Sequence, residues 1–227
     1  MITMKFSIYH AQPVLDLIGK YESRGDYDIV YGGIPKSLRP KVKITSLTVR
    51  GVLTWQANIR AHGVASTAAG KYQIIYNTLK ATVAQMGFNT SRVFDETVQD
   101  EMACHLLIGR GFQRYLDGAI DMESMVIGLA KEWASLPVPR DMQGPSRWLK
   151  AGQSYYAGDG LNKAHASVAE VETALAIARE RYRSGAQPSA PAPDPAPAPS
   201  PAKPSSSNLL TTALIIGAAA AIIFLKG

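Results

Sequence analysis

Apolar residues recur at helical spacing through most of the first 185 positions. Six segments show an apolar stripe with polar residues opposite, which predicts amphipathic helices packed around a shared core. In the first segment, Pro13 suits the first turn of a helix, where a missing backbone N–H is tolerated. The six segments are residues 13–22, 48–61, 76–86, 97–108, 121–134 and 167–184.

Capping signals support three boundaries in two of these segments. Ser167 and Glu170 have the spacing of a capping box, and Gly185 is a natural stop for the same helix. Gly87 ends the segment 76–86 in the same way.

A short segment after the first helix breaks the helical pattern. Residues 26–33 combine β-branched and aromatic side chains with the pair Gly32-Gly33, which favours a short strand followed by a turn. The sequence therefore predicts a mainly α domain with a small β excursion.

The composition changes sharply near Gly185. Residues 187–207 contain eight prolines separated largely by Ala and Ser, a composition typical of an extended spacer. Residues 209–225 are uncharged and apolar, and a helix of this length would rise about 26 Å, a minimal membrane span. A buried soluble helix is the alternative. We expect a globular domain over residues 1–185, a linker over 186–207 and a transmembrane anchor over 208–227.

Composition and charge exclude several classes of protein. One cysteine, Cys104, rules out a disulfide scaffold, and its apolar surroundings predict a buried, inert thiol. The net charge of +6 is a modest excess that suits an anionic polymer, a membrane surface or no particular partner. The basic residues are scattered and show no interleaving with aromatics, so we expect no nucleic-acid partner.

Candidate chemistry is sparse, which makes one carboxyl group prominent. No nucleophile elbow, phosphate loop or dinucleotide fingerprint occurs, so no cofactor is expected. No metal site is expected either, because the four histidines lack ligand spacing. The four histidines are His10, His62, His105 and His165.

Glu22 ends the first helix directly before the predicted strand. Partial enclosure there would raise its pKa and suit it to general acid catalysis, and a solvated helix-end carboxylate is the alternative.

Three segments, read in order, carry a family resemblance. Glu22 is followed by YDIVYGG at 27–33, then by STAAGKYQII at 66–75, then by WASLP at 133–137. Over roughly residues 10–165 the chain resembles the lambda-endolysin type of phage lytic transglycosylase. The sequence departs from that type by a longer stretch at 33–65, an insertion at 138–152 and everything beyond about residue 166.

The resemblance implies a lysozyme-like fold and cleavage of the β-1,4 bond between N-acetylmuramic acid and N-acetylglucosamine in peptidoglycan. It places Glu22 in the position of the acid, which later acts as the base that closes a 1,6-anhydro sugar. A side-chain amide and several aromatic rings would then bind the glycan. The substrate-binding residues expected in this way are Ser23, Tyr31, Tyr72, Gln73, Tyr155 and Tyr156.

Two other functions stay open at this point. Asp26 or Asp28 could supply a second carboxylate and make the protein a hydrolysing muramidase. Their alternative roles are a turn residue and a hydrogen-bond acceptor at a strand end. A non-catalytic, membrane-anchored virion protein that binds glycans or is structural would also use the spacer and the apolar run.

The apolar run at residues 209–225 also leads to an expectation about where the protein is located. Gly217 and Ala221 have the small-residue spacing that would let two such helices self-associate in a lipid bilayer. No signal-like segment opens the sequence, so a single C-terminal span would leave the large domain on the cytoplasmic side. We expect a virion membrane first, with use during entry, and a bacterial inner membrane otherwise.

Overall fold

The computed structural model describes residues 5–158 and 162–186. Within them the chain forms seven α-helices and a two-stranded sheet, so the expected mainly α fold with a small β part is confirmed. The helices are α1 Ile8–Ser23, α2 Val49–Ala61, α3 Tyr76–Met86, α4 Glu96–Gly109, α5 Phe112–Leu116, α6 Met122–Ala130 and α7 Val168–Arg183; the strands are β1 Met142–Gln143 and β2 Trp148–Leu149.

Helix α1 lies at the centre of the core, packed mainly against α7 and also against α4. It begins earlier than expected, because Ser7 and His10 form a capping box at its start. Pro13 therefore lies inside the helix, which corrects its assignment to the first turn. A proline at this position leaves the carbonyl of Tyr9 without its helical donor. Arg181 of α7 donates a hydrogen bond to that oxygen at 3.0 Å, so the lost bond is replaced across the helix pair.

The expected boundaries of α2, α3, α4 and α7 agree with the structure to within one residue. Thr48 caps α2, Gly87 ends α3 in the left-handed conformation, and the Ser167 to Glu170 capping box begins α7. Helix α6 is shorter than expected because Lys131 ends it. The next residues leave the helix and run toward the end of α1.

The prediction of a short strand over residues 26–33 is wrong, because the segment forms one isolated bridge and not a strand. A single antiparallel bridge joins Val30 to Ala69. Gly70, in the left-handed region at φ +76°, turns the partner segment away before a ladder can form. The two-stranded sheet lies instead in the insertion at 138–152, where Met142 pairs with Leu149.

Cys104 has no solvent exposure, and burial raises the pKa of its thiol to about 12. The expected buried, inert thiol is therefore confirmed. None of the helices within residues 5–158 and 162–186 is long and apolar enough to cross a bilayer. The expected linker and the expected anchor at 208–227 lie outside the described residues, and both stay predictions.

Candidate active site

A cleft of about 590 Å³ opens beside the C-terminal end of α1. Its walls come from α1, from the segment 65–75 that we call the cleft loop, from the ends of α4 and α6, and from the region around Tyr156. The lining residues include Glu22, Tyr31, Tyr72, Gln73, Arg110, Lys131, Glu132, Trp133 and Tyr156.

Glu22 lies in the last turn of α1, which ends when Arg24 adopts the left-handed conformation. The Glu22 carboxyl group is half-buried, and its Oε1 accepts a hydrogen bond of 2.6 Å from the Ser135 hydroxyl. The Ser135 backbone N–H approaches the same oxygen at 3.4 Å. Burial raises the pKa of Glu22, while Ser135 and the charge of His165 oppose the rise without cancelling it. A raised pKa keeps a carboxyl group protonated to higher pH, which a general acid requires.

Ser135 is itself held in place by the chain that leads into α7. Its carbonyl oxygen accepts hydrogen bonds from the backbone N–H groups of His165 at 2.8 Å and Ala166 at 3.2 Å. Leu136, the next residue, is completely buried in the core. These contacts anchor the Ser135 backbone beside Glu22.

Two buried glutamines hold the cleft loop. The Gln56 amide donates to the carbonyls of Thr67 at 2.8 Å and Ile74 at 2.9 Å. Gln99 accepts from the backbone N–H of Lys71 at 2.9 Å. Gly70 lies directly against Gln99, and a side chain there would collide with its amide oxygen. The loop thus presents Gln73 on a rigid support.

Gln73 is the residue of the cleft loop with the most unusual backbone. Its φ of +47° lies in the left-handed region, which a residue other than glycine occupies at a cost of about 1 kcal/mol or more. Its side-chain amide donates to the Gly70 carbonyl at 2.9 Å. Strained residues of this kind concentrate at functional sites, and the side chain lines the cleft.

The four expected tyrosines separate into two groups. Tyr31 and Tyr156 are partly exposed and line the cleft, and the Tyr156 hydroxyl donates to the Lys131 carbonyl at 2.7 Å. Tyr72 borders the cleft, but only 1% of it is exposed and its hydroxyl donates to Asp100. Tyr155 lies outside the lining and packs edge-on against Tyr156.

Ser23 follows Glu22 but is not brought to the cleft. Its hydroxyl donates to the Gly19 carbonyl one turn earlier, and its side chain is buried. The substrate-binding role expected for Ser23 therefore has no support from its position.

Asp26 and Asp28 do not line the cleft either. The Asp26 carboxylate accepts from the backbone N–H of Asp28 at 2.8 Å, as a turn residue does. Asp28 accepts from the backbone and hydroxyl of Thr45 and pairs with Lys43 at 3.4 Å. Burial alone would raise the pKa of Asp28, but these contacts outweigh it and the net pKa is lowered. Both aspartates occupy local structural positions.

A family model described as Endolysin matches residues 22–161, which is more than half of the chain. The chain belongs to the endolysin family. No curated protein and no solved structure matches it significantly. Family membership makes the protein a lytic, cell-wall-degrading enzyme whose substrate is peptidoglycan.

The cleft of this endolysin also contains charged residues that sequence reasoning missed. Glu132 lies next to Trp133 of the third motif, and its Oε2 pairs with Arg110 Nε at 2.6 Å. Arg110 also donates from Nη2 to the Lys131 carbonyl at 3.2 Å. Among the described residues, no group of three His, Cys, Asp or Glu side chains is placed to hold a metal ion.

Proposed function

We propose that this endolysin is a lytic transglycosylase that cleaves the β-1,4 bond between N-acetylmuramic acid and N-acetylglucosamine. The observation that carries the proposal is the contrast between the two carboxyl groups of the cleft. Glu22 is half-buried, hydrogen-bonded to Ser135 and raised in pKa, whereas Glu132 forms an ion pair with Arg110. Glu22 is thus suited to carry a proton, whereas the carboxylate of Glu132 is engaged by Arg110.

In the proposed reaction, Glu22 first donates its proton to the glycosidic oxygen. The bond to C1 of N-acetylmuramic acid breaks, and the N-acetylglucosamine side leaves with a free hydroxyl group. The ionised Glu22 then accepts the proton of the muramic C6 hydroxyl, whose oxygen bonds to C1 and forms a 1,6-anhydro ring. Glu22 ends protonated again, and no water is consumed. One carboxyl group serves as acid and then as base, so a second catalytic carboxylate is unnecessary.

The cleft residues supply binding groups around this reaction. Gln73 offers an amide for the acetamido groups or the reacting sugar, from a backbone that the two buried glutamines hold. Tyr31 and Tyr156 offer partly exposed ring faces to the glycan. We propose these three residues as the substrate contacts, with Tyr72 supporting the cleft wall from the core.

Glu132 supports the muramidase alternative, because a carboxylate in the same cleft could activate water.

Digestion of purified peptidoglycan by the full chain, followed by mass spectrometry of the released fragments, tests the proposal. We expect soluble fragments with 1,6-anhydro ends. Fragments with reducing ends would support hydrolysis, and binding to peptidoglycan without release would support a non-catalytic wall-binding protein.

We also propose that residues 209–225 anchor the enzyme in a bilayer, with the proline-rich linker setting its reach. The support is the uncharged apolar sequence, which suits a virion membrane or a bacterial inner membrane. The full chain reconstituted with vesicles should stay with them through high salt and alkaline carbonate, because buried hydrocarbon surface holds it. A chain lacking residues 208–227 should remain in the aqueous phase. Release of the full chain by carbonate would contradict the anchor.

A further inference from the structure

The cleft contains a positive charge that the described residues do not neutralise. Four charged side chains line it, and Arg110 and Glu132 form one neutral pair. Glu22 is held toward its protonated form by burial. Within residues 5–158 and 162–186, the Lys131 ammonium has no carboxylate partner, and the group it approaches is the ring of Tyr155 at 5.4 Å. Among the described residues that line the cleft, Lys131 is therefore the charged side chain that neither an ion pair nor burial neutralises.

Lys131 is fixed at its backbone. It ends α6, and its carbonyl oxygen accepts hydrogen bonds from Tyr156 at 2.7 Å and Arg110 at 3.2 Å. The Lys131 ammonium lies over the Tyr155 ring, whose face favours a cation. Tyr155, which does not line the cleft itself, thereby helps to position a group that does.

A short segment of the chain connects Lys131 to the residue that binds the catalytic acid. The same short segment that ends at Lys131 continues through Glu132 and Trp133 to Ser135, which binds Glu22. A ligand group held by Lys131 would therefore lie at a set distance along the cleft from the Glu22 carboxyl group. A contact of this kind can select which glycosidic bond is presented for cleavage.

The chemistry of the substrate indicates what the ammonium binds. The amino-sugar backbone of peptidoglycan carries no charge, whereas the stem peptide attached to N-acetylmuramic acid carries free carboxylates. Given the proposed function, we propose that Lys131 binds a stem-peptide carboxylate and makes the enzyme prefer glycan strands whose stem peptides carry free carboxylates. The stem peptide marks the muramic residue, so this contact would align the bond on its C1 side with Glu22.

The test compares two substrates prepared from one batch of purified strands, one with free stem-peptide carboxylates and one in which a carbodiimide and excess ammonia have converted those carboxylates to neutral amides. The wild-type full chain should show a higher kcat/KM on the strands with free carboxylates, by about tenfold to a hundredfold, as expected for one charge-assisted hydrogen bond. Lys131→Gln should bring this ratio close to unity, chiefly through KM. Lys131→Glu should reverse the preference, and Lys131→Arg should keep it.

A matched control separates this contact from a general effect of charge. Lys80 is exposed on α3 and does not line the cleft, so Lys80→Gln makes the same change in net charge elsewhere. This variant should keep the wild-type ratio. A wild-type ratio of one, or a ratio that Lys131→Gln leaves unchanged, would overturn the inference. Failure of the wild-type chain to cleave either strand would instead overturn the proposed function, and this inference with it.

Discussion

Glu22→Gln should lower the rate of peptidoglycan cleavage by about 10³-fold, because one change removes both the general acid and the general base. Glutamine has nearly the same shape, and its amide oxygen can still accept the hydrogen bond from Ser135. The measurement is the release of soluble fragments from purified peptidoglycan at equal protein concentration. Activity above a few per cent of wild type would remove Glu22 from its catalytic role.

The melting temperature of the same variant separates catalysis from folding. Burial raises the pKa of Glu22 in the folded protein, so the proton is bound more tightly there than in the unfolded chain. The stability that this provides is present at low pH and is lost as pH rises through the raised pKa. Glutamine resembles the protonated form, so Glu22→Gln should melt at the wild-type temperature or above it at neutral pH. Glu180→Gln, on the exposed surface of α7, is the matched control and should retain both activity and stability.

Ser135→Ala should lower kcat by about tenfold to a hundredfold, the range expected when a hydrogen bond to a catalytic carboxyl group is lost. The Ser135 hydroxyl opposes the effect of burial and lowers the pKa of Glu22. Its removal should therefore raise that pKa further. The alkaline limb of the pH profile should move to higher pH, since the acid stays protonated longer, while the maximal rate falls.

The shift of the pH profile is what identifies Ser135 as a positioning residue. A serine that only supported the fold would lower the rate at every pH without moving the alkaline limb. Ser23→Ala is the control, because Ser23 adjoins Glu22 and its hydroxyl is used within α1. We expect this variant to keep the wild-type profile. A limb that stays in place in Ser135→Ala would contradict the assigned contact.

The sequence predicted the helices well because their signals are local. Thr48, Gly87 and Ser167 each act on the turn next to them, so spacing and capping residues suffice to locate the ends. The start of α1 was missed because the bond that compensates Pro13 comes from Arg181, far away in the chain. The expected strand at 26–33 failed because its partner turns away at Gly70, which no local pattern reveals.

In the candidate site too, residues with a local sequence signal could be predicted, and residues whose role depends on distant contacts could not. Glu22 could be singled out because its position at a helix end, together with three ordered motifs, points to one carboxyl group. Ser135 lies inside the third motif, yet its role depends on a contact across 113 positions that spacing alone does not give. Ser23 and Tyr155 were adjacent to site residues in sequence, but the helix and the local packing direct them away from the cleft. No motif in the sequence marked Lys131. It stands out because, within residues 5–158 and 162–186, no carboxylate pairs with its ammonium group.

The central claim is that an internal hydroxyl group, and not water, completes the reaction that Glu22 begins. Digestion of purified peptidoglycan in heavy-oxygen water, with mass spectrometry of the new glycan ends, tests it most directly. We expect 1,6-anhydro ends that are lighter by one water than hydrolysed ends and carry no heavy oxygen, and we expect none of them with Glu22→Gln. Reducing ends labelled with heavy oxygen as the main product would contradict the transglycosylase mechanism and direct attention to Glu132.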